Sequence, residues 1–317
     1  MSSAAIADIQ AFAAHHGARP ADPLRQPLAE ARILALAYQD IWNHPLPPMA
    51  RTGQYRTEAG TAIRLHVPDS AAPFSPVLVY FHGGGFVLNS VATHERLIRL
   101  LANRAGIAVA AIGYSLAPET RFPGQLDEAL DAISWLRTNA HPLGLSFSRW
   151  AVGGDSAGAN LALATTLTLR DRHQVLPDFG LSFYGMFSAD LETPSHRAFG
   201  GGAFGLTTAR VDWFWAQYLA DFGQRDNPLA APLRADLHGL PPQLLIGAGL
   251  DCLLDDSRAL ADRLAAAKAP VTLSVYDGMP HSFAQMSTLL PPADRAISEA
   301  AAGLREILVD RRSLAAE

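Results

Sequence analysis

The residues best suited to do chemistry lie in the pentapeptide Gly154-Asp155-Ser156-Ala157-Gly158, which follows the apolar run Trp150-Ala151-Val152 and precedes a helix-forming stretch. A serine on a sharp strand-to-helix turn presents its hydroxyl outward, and small neighbours are required where a β-carbon would collide with the adjoining strand or helix. A serine hydroxyl is a poor nucleophile at neutral pH, so the motif means little without a base, an orienting acid and donors for the developing oxyanion. The chain offers each. His281, in Gly278-Met279-Pro280-His281-Ser282-Phe283, stands on a turn-rich segment after the strand-like run Val271 to Tyr276. Asp251 follows the apolar run Leu244 to Gly249, where a parallel strand would end and its loop begin. Asp255 and Asp256 are rivals for the acid, but Asp255 stands where the periodicity of Leu260, Leu264 and Ala267 begins and reads better as a helix N-cap. His82-Gly83-Gly84-Gly85-Phe86, after the run Val77 to Phe81, supplies consecutive glycines whose amides can approach a substrate unobstructed.

Together these segments resemble the hormone-sensitive-lipase-like group of α/β-hydrolase esterases. The likeness extends to Tyr114-Ser115-Leu116-Ala117-Pro118-Glu119 with Phe122-Pro123, to Leu253 and Asp255 beside Asp251, and to Phe283 beside His281. The chain order Ser156, Asp251, His281 is that of α/β-hydrolase triads. The resemblance implies Ser156 as nucleophile, His281 as base and Asp251 as orienting acid. It implies an oxyanion hole from the Gly83 to Gly85 amides, chiefly Gly84 and Gly85, together with Ala157. His82 is then a structural member of its loop. Ser115 replaces an arginine common in the family, and Ala159 replaces a glycine. The activity implied is hydrolysis of short to medium acyl esters through an acyl-serine, with no cofactor. The alternatives are a hydrolase of amides, carbamates or lactones, and a non-catalytic small-molecule receptor on the same scaffold. A homodimer joined through the last strand is also implied.

These groups need a scaffold. With 317 residues and 49% hydrophobic content, the chain can bury a large core as one α/β domain. From residue 76 strand-like runs near 77–81, 107–113, 149–153, 179–185, 243–249 and 271–276 alternate with helical patterns near 93–104, 124–139, 156–170, 255–268 and 292–310. That alternation predicts a mainly parallel sheet with helices on both faces, the α/β-hydrolase fold. An antiparallel hairpin, 54–58 with 62–67, is expected at the sheet edge. Residues 1–48 carry two amphipathic helices read as a lid rather than core, leaving 49–317 as the catalytic domain. A long excursion near 187–225, carrying Trp213, Phe214, Trp215 and Tyr218, is expected to complete a helical cap whose aromatics serve equally as cap core or pocket wall.

A net charge of −5 with dispersed Lys and Arg gives no footprint for nucleic acid. The lone Cys252 excludes an internal disulfide and reads as a packed thiol. His15, His16, His44, His94 and His196 lack metal-ligand spacing. The N-terminal segment, interrupted by Asp8, Gln10 and paired histidines, fails as a signal peptide or membrane span, so a cytoplasmic protein acting on a small-molecule ester is expected. Asp155 and Glu119 are read as structural.

Overall fold

A computed structural model describes residues 4–310. Two helices, α1 (Ala4–His15) and α2 (Leu28–Asn43), come first. They are followed by β1 (Arg51–Arg56), β2 (Ala62–Val67), β3 (Ser75–Phe81), α3 (Glu95–Ala105), β4 (Ala108–Gly113), α4 (Gly124–Thr138), β5 (Leu145–Asp155) and α5 (Ala157–Asp171). The rest comprises β6 (Phe179–Phe183), α6 (Pro194–Phe199), α7 (Thr208–Tyr218), β7 (Gln243–Leu250), α8 (Leu254–Ala266), β8 (Val271–Pro280) and α9 (Pro291–Arg305). The eight strands form one sheet in the order β1-β2-β4-β3-β5-β6-β7-β8. Its β1/β2 and β2/β4 pairs are antiparallel and every other pair is parallel.

The central strands carry near-continuous apolar runs because both faces of the sheet are covered. Val77, Val79 and Phe81 of β3 point into one core with α4 and α5, while Leu78 and Tyr80 point into the other with α3 and α9. β4 divides in the same way, Ala108, Ala110 and Ile112 against Val109 and Ala111. Small residues in β4 let helices approach the sheet closely. α8 packs Leu260 and Leu264 against Leu163 and Leu167 of α5.

The expected alternation is present, and the differences lie at the ends of elements. β1 begins and ends earlier than expected because Thr57 starts the turn: its amide donates to the Thr61 carbonyl, and the Thr57 and Thr61 hydroxyls both donate to Asp131 of α4 at 2.5 and 2.8 Å. β8 runs on to Pro280 across a register shift against β7, so the strand reaches the residue before His281. α8 begins at Leu254, which places Asp255 within the first turn and not at the N-cap. The Asp251 carboxylate makes the turn into that helix, accepting from the Leu253 amide at 3.0 Å. α1 and α2 were expected as a lid alone, yet they also bury Ala5, Ile9, Ala13 and Trp42 in the core beside α3 and α9. Arg32 of α2 fastens them: its guanidinium grips both Glu119 oxygens at 2.7 Å and donates to the Val87 and Ala117 carbonyls. No described helix is long and apolar enough to cross a membrane.

Candidate active site

Each candidate group sits just beyond the carboxyl end of a parallel strand, the edge where open α/β sheets bind ligands. Ser156 follows the central strand β5. Its backbone, at φ 54° and ψ −119°, lies in a region that L-residues avoid. Two glycines make the turn possible. A β-carbon on Gly158 would lie 2.0 Å from the Phe81 carbonyl oxygen, and one on Gly154 would lie 2.5 Å from the same atom. β3, β5 and α5 are therefore in backbone contact at the point where the serine emerges.

His281, directly after β8, brings Nε2 to 3.0 Å from Ser156 Oγ, and its Nδ1 lies 2.6 Å from Asp251 Oδ2 beyond β7. An ionised carboxylate only accepts, so Nδ1 carries the proton donated to Asp251, and Nε2 is left to accept from the serine hydroxyl. Asp251 is fully buried. The edge of Tyr184 packs against the imidazole with ring centroids 4.9 Å apart.

The glycine loop after β3 divides its amides. Gly83 N–H donates to Asp155 Oδ1 at 2.9 Å, so the expected contribution of Gly83 to an oxyanion hole is corrected: that donor already has a partner. The amides of Gly84 and Gly85 have no partner among the described residues. Their φ angles of +126° and +63° fit glycine, and Gly85 lies against the Phe214 ring, which a β-carbon would meet at 2.2 Å. Ala157 opens α5, where a first-turn N–H has no intrahelical acceptor. Gly84, Gly85, Ser156 and His281 line one cavity of about 460 Å³.

The supporting polar groups are buried and connected. Asp155 accepts from Tyr80 Oη and Gly83 N–H, both at 2.9 Å, and meets His94 Nε2 at 3.2 Å. Burial works against its charge, but His94 and the Tyr80 hydrogen bond prevail and hold the carboxyl below its usual range. Asp155 is thus structural, as its sequence setting suggests. His82 stacks on Tyr114 with centroids 4.3 Å apart, and its Nδ1–H donates to the Gly83 carbonyl at 2.8 Å. Burial lowers its pKa to about 4, which keeps it neutral. Ser115, at the position of a common family arginine, binds Glu128 through its amide and hydroxyl.

Asp255 lies elsewhere. Its carboxylate accepts from the Ser195 amide at 2.8 Å while Ser195 Oγ accepts from the Asp255 amide at 3.1 Å, a reciprocal pair that ties α8 to α6. Asp256 accepts from the amides of Phe187 and Ser188 at 2.8 and 2.9 Å. Burial pushes the Cys252 thiol pKa far up, matching a packed cysteine. The aromatic cluster of α7 divides its roles: Phe214 lines the cavity while Trp215 is buried in the core. No group of three or more His, Cys, Asp or Glu residues poised to hold a metal occurs among the described residues.

Sequence reading missed Arg32, His94 and Arg210, the last a wall residue of the cavity. Arg32 and His94 act through partners distant in sequence; for Arg210, the helical periodicity that places Phe214 on the cavity side also places the residue one turn earlier there.

A family profile described as alpha/beta hydrolase fold matches residues 78–285. Among solved structures, an alpha/beta hydrolase enzyme from the metagenome of Lake Arreo, Spain, is 33% identical, with 96% of this chain and 97% of that one covered at a TM-score of 0.88. A thermostable esterase from Pseudomonas putida is 30% identical, with 95% and 97% covered and a TM-score of 0.87. A hyperthermophilic esterase from the archaeon Pyrobaculum calidifontis is 31% identical, with 96% and 99% covered and a TM-score of 0.86. The chain belongs to the α/β-hydrolase-fold family that includes the hormone-sensitive-lipase-like esterases.

Proposed function

We propose that the protein is a serine carboxylic-ester hydrolase acting through an acyl-serine intermediate. The observation that carries this reading is the relay from Ser156 Oγ through His281 to Asp251, at 3.0 and 2.6 Å, opening into a cavity beside two unpartnered glycine amides. In the proposed cycle, His281 Nε2 takes the hydroxyl proton as Ser156 Oγ attacks the ester carbonyl. Asp251 holds the tautomer and stabilises the imidazolium. The N–H groups of Gly84, Gly85 and Ala157 receive the oxyanion, each such donor being worth roughly 10²–10³ in rate. Collapse expels the alcohol, protonated by His281. Water, deprotonated by the same nitrogen, then attacks the acyl-serine and releases the acid.

α1, α2 and the α6–α7 segment serve as the cap over this site, which excludes water while the acyl-enzyme lives. A cavity of about 460 Å³ favours short to medium acyl groups. Esterase activity among the relatives supports the ester over the amide reading. The test is Ser156→Ala assayed with 4-nitrophenyl butyrate. The variant folds with a wild-type circular dichroism spectrum and loses turnover to background, and retained turnover in the folded variant overturns the mechanism.

A further inference from the structure

We propose that the cavity accepts esters carrying a carboxylate set apart from the scissile carbonyl, and that the Arg210 guanidinium binds that carboxylate. This proposal rests on the ester-hydrolase reading above and names its substrate class. Arg210 lies on α7 one turn before Phe214, the ring packed on Gly85, and its guanidinium carbon is 5.9 Å from that ring's centroid. It therefore faces the same cavity as Ser156 and His281.

The guanidinium has no hydrogen-bond partner and no ion pair among the described residues, and its Nε is buried without an acceptor. Asp22, between α1 and α2, is the carboxylate whose field reaches it, but the two lie beyond ion-pair distance and Asp22 lies 3.5 Å from Arg25 instead. Tyr38 of α2 is the other polar neighbour from across the cavity, and Gln39 beside it leaves a buried Oε1 without a donor. Arg210 is half-buried with its Nε shut from solvent, and this burial lowers the guanidinium pKa.

The balance of charge around the cavity points the same way. Its wall carries Arg19 as well as Arg210, and its one carboxylate, Asp155, is already engaged by Tyr80, Gly83 and His94. This cationic wall occurs in a chain of net charge −5. Buried charges are normally paired, and a planar guanidinium fork matches a carboxylate in bidentate geometry. The missing partner is thus an anion that arrives with the substrate. A neutral ester would leave the guanidinium as unpaired as it is in the free protein.

The test compares 4-nitrophenyl hydrogen adipate with 4-nitrophenyl 6-methylheptanoate, in which an isopropyl group replaces the distal carboxylate. The corresponding pair with charge on the alcohol side is 6-acetoxyhexanoate and hexyl acetate. Wild type prefers the anionic member of at least one pair in kcat/KM by about tenfold or more, and Arg210→Met brings that ratio down by about tenfold to a hundredfold, the range for a hydrogen bond to a charged group. Arg210→Lys gives an intermediate ratio because it keeps the charge without the fork. Should Arg210→Met fold poorly, inhibition of wild type by free adipate, with hexanediamide as neutral control, decides: stronger inhibition by adipate supports the proposal and equal inhibition overturns it. Equal wild-type rates on both members of both pairs, or a ratio indifferent to Arg210→Met, also overturn it. Either result leaves ester hydrolysis intact, whereas failure of wild type to turn over any of the four esters removes the ester-hydrolase reading itself.

Discussion

Gly84→Ala tests the glycine loop at the position where geometry is least forgiving. A β-carbon there would lie 2.1 Å from the Leu88 carbonyl oxygen, a backbone atom that cannot swing aside, and φ is +126°. The loop is closed by hydrogen bonds from the Val87 and Leu88 amides to the Gly84 carbonyl at 3.1 and 2.9 Å. Relieving the contact therefore opens the turn by roughly 0.9 Å and carries the Gly84 and Gly85 amides with it, and a misplacement of about 1 Å costs on the order of 10²-fold in rate. Complete loss of one oxyanion donor would cost about 10²–10³. The expected result is kcat down by that factor for 4-nitrophenyl butyrate, with KM much less changed because the amides act in the transition state. The backbone strain also removes about 1–3 kcal/mol of stability, visible as a lowered urea midpoint. Gly201→Ala is the control, since a β-carbon there meets nothing within 4 Å. Wild-type kcat in a folded Gly84→Ala variant would refute the assignment of these amides to the oxyanion.

Two further variants separate the neighbouring carboxylates of β7 and α8. Asp251→Asn lowers kcat by about 10²–10⁴ through loss of the tautomer and of imidazolium stabilisation, while Asp255→Asn, whose oxygen still accepts from Ser195, stays within about tenfold; the reverse ranking in steady-state kinetics would contradict the relay. Asp256 makes a prediction about stability. Burial raises its pKa from 3.8 to about 8, so the native state holds a proton that the unfolded chain releases. Its contribution to stability is therefore fully present below about pH 4, is lost as pH rises through about 8, and is flat beyond. Asp256→Asn keeps an acceptor oxygen for the Phe187 and Ser188 amides and has no proton to lose, so the difference in urea midpoint between variant and wild type should grow across that window. A constant difference from pH 4 to 9 would count against a protonated Asp256.

Much of this was legible because local constraints coincide with global ones. The apolar runs of β3 to β7 mark buried parallel strands, and Gly154 and Gly158 mark a turn where backbones touch. Groups following successive strands are gathered at one sheet edge by the topology alone, which is why Ser156, Asp251 and His281 converge from 125 and 30 residues apart in sequence. What escaped the sequence depends on partners chosen in three dimensions. Nothing near Gly83 reveals that its N–H belongs to Asp155, and nothing near Asp255 reveals Ser195. Arg32 reads as an ordinary surface residue of an amphipathic helix until its clamp on Glu119 and two carbonyls joins α2 to the loops around the glycine motif. Arg210 is a charge whose significance lies in having no partner among the described residues, which no local pattern encodes.

The covalent step is read out by mass spectrometry of the protein quenched in acid during turnover of a 4-nitrophenyl ester. An acyl adduct is expected on the peptide containing Ser156 and is absent from Ser156→Ala. Turnover with an adduct on another residue, or rapid turnover with none under conditions where deacylation limits the rate, would contradict the acyl-serine step.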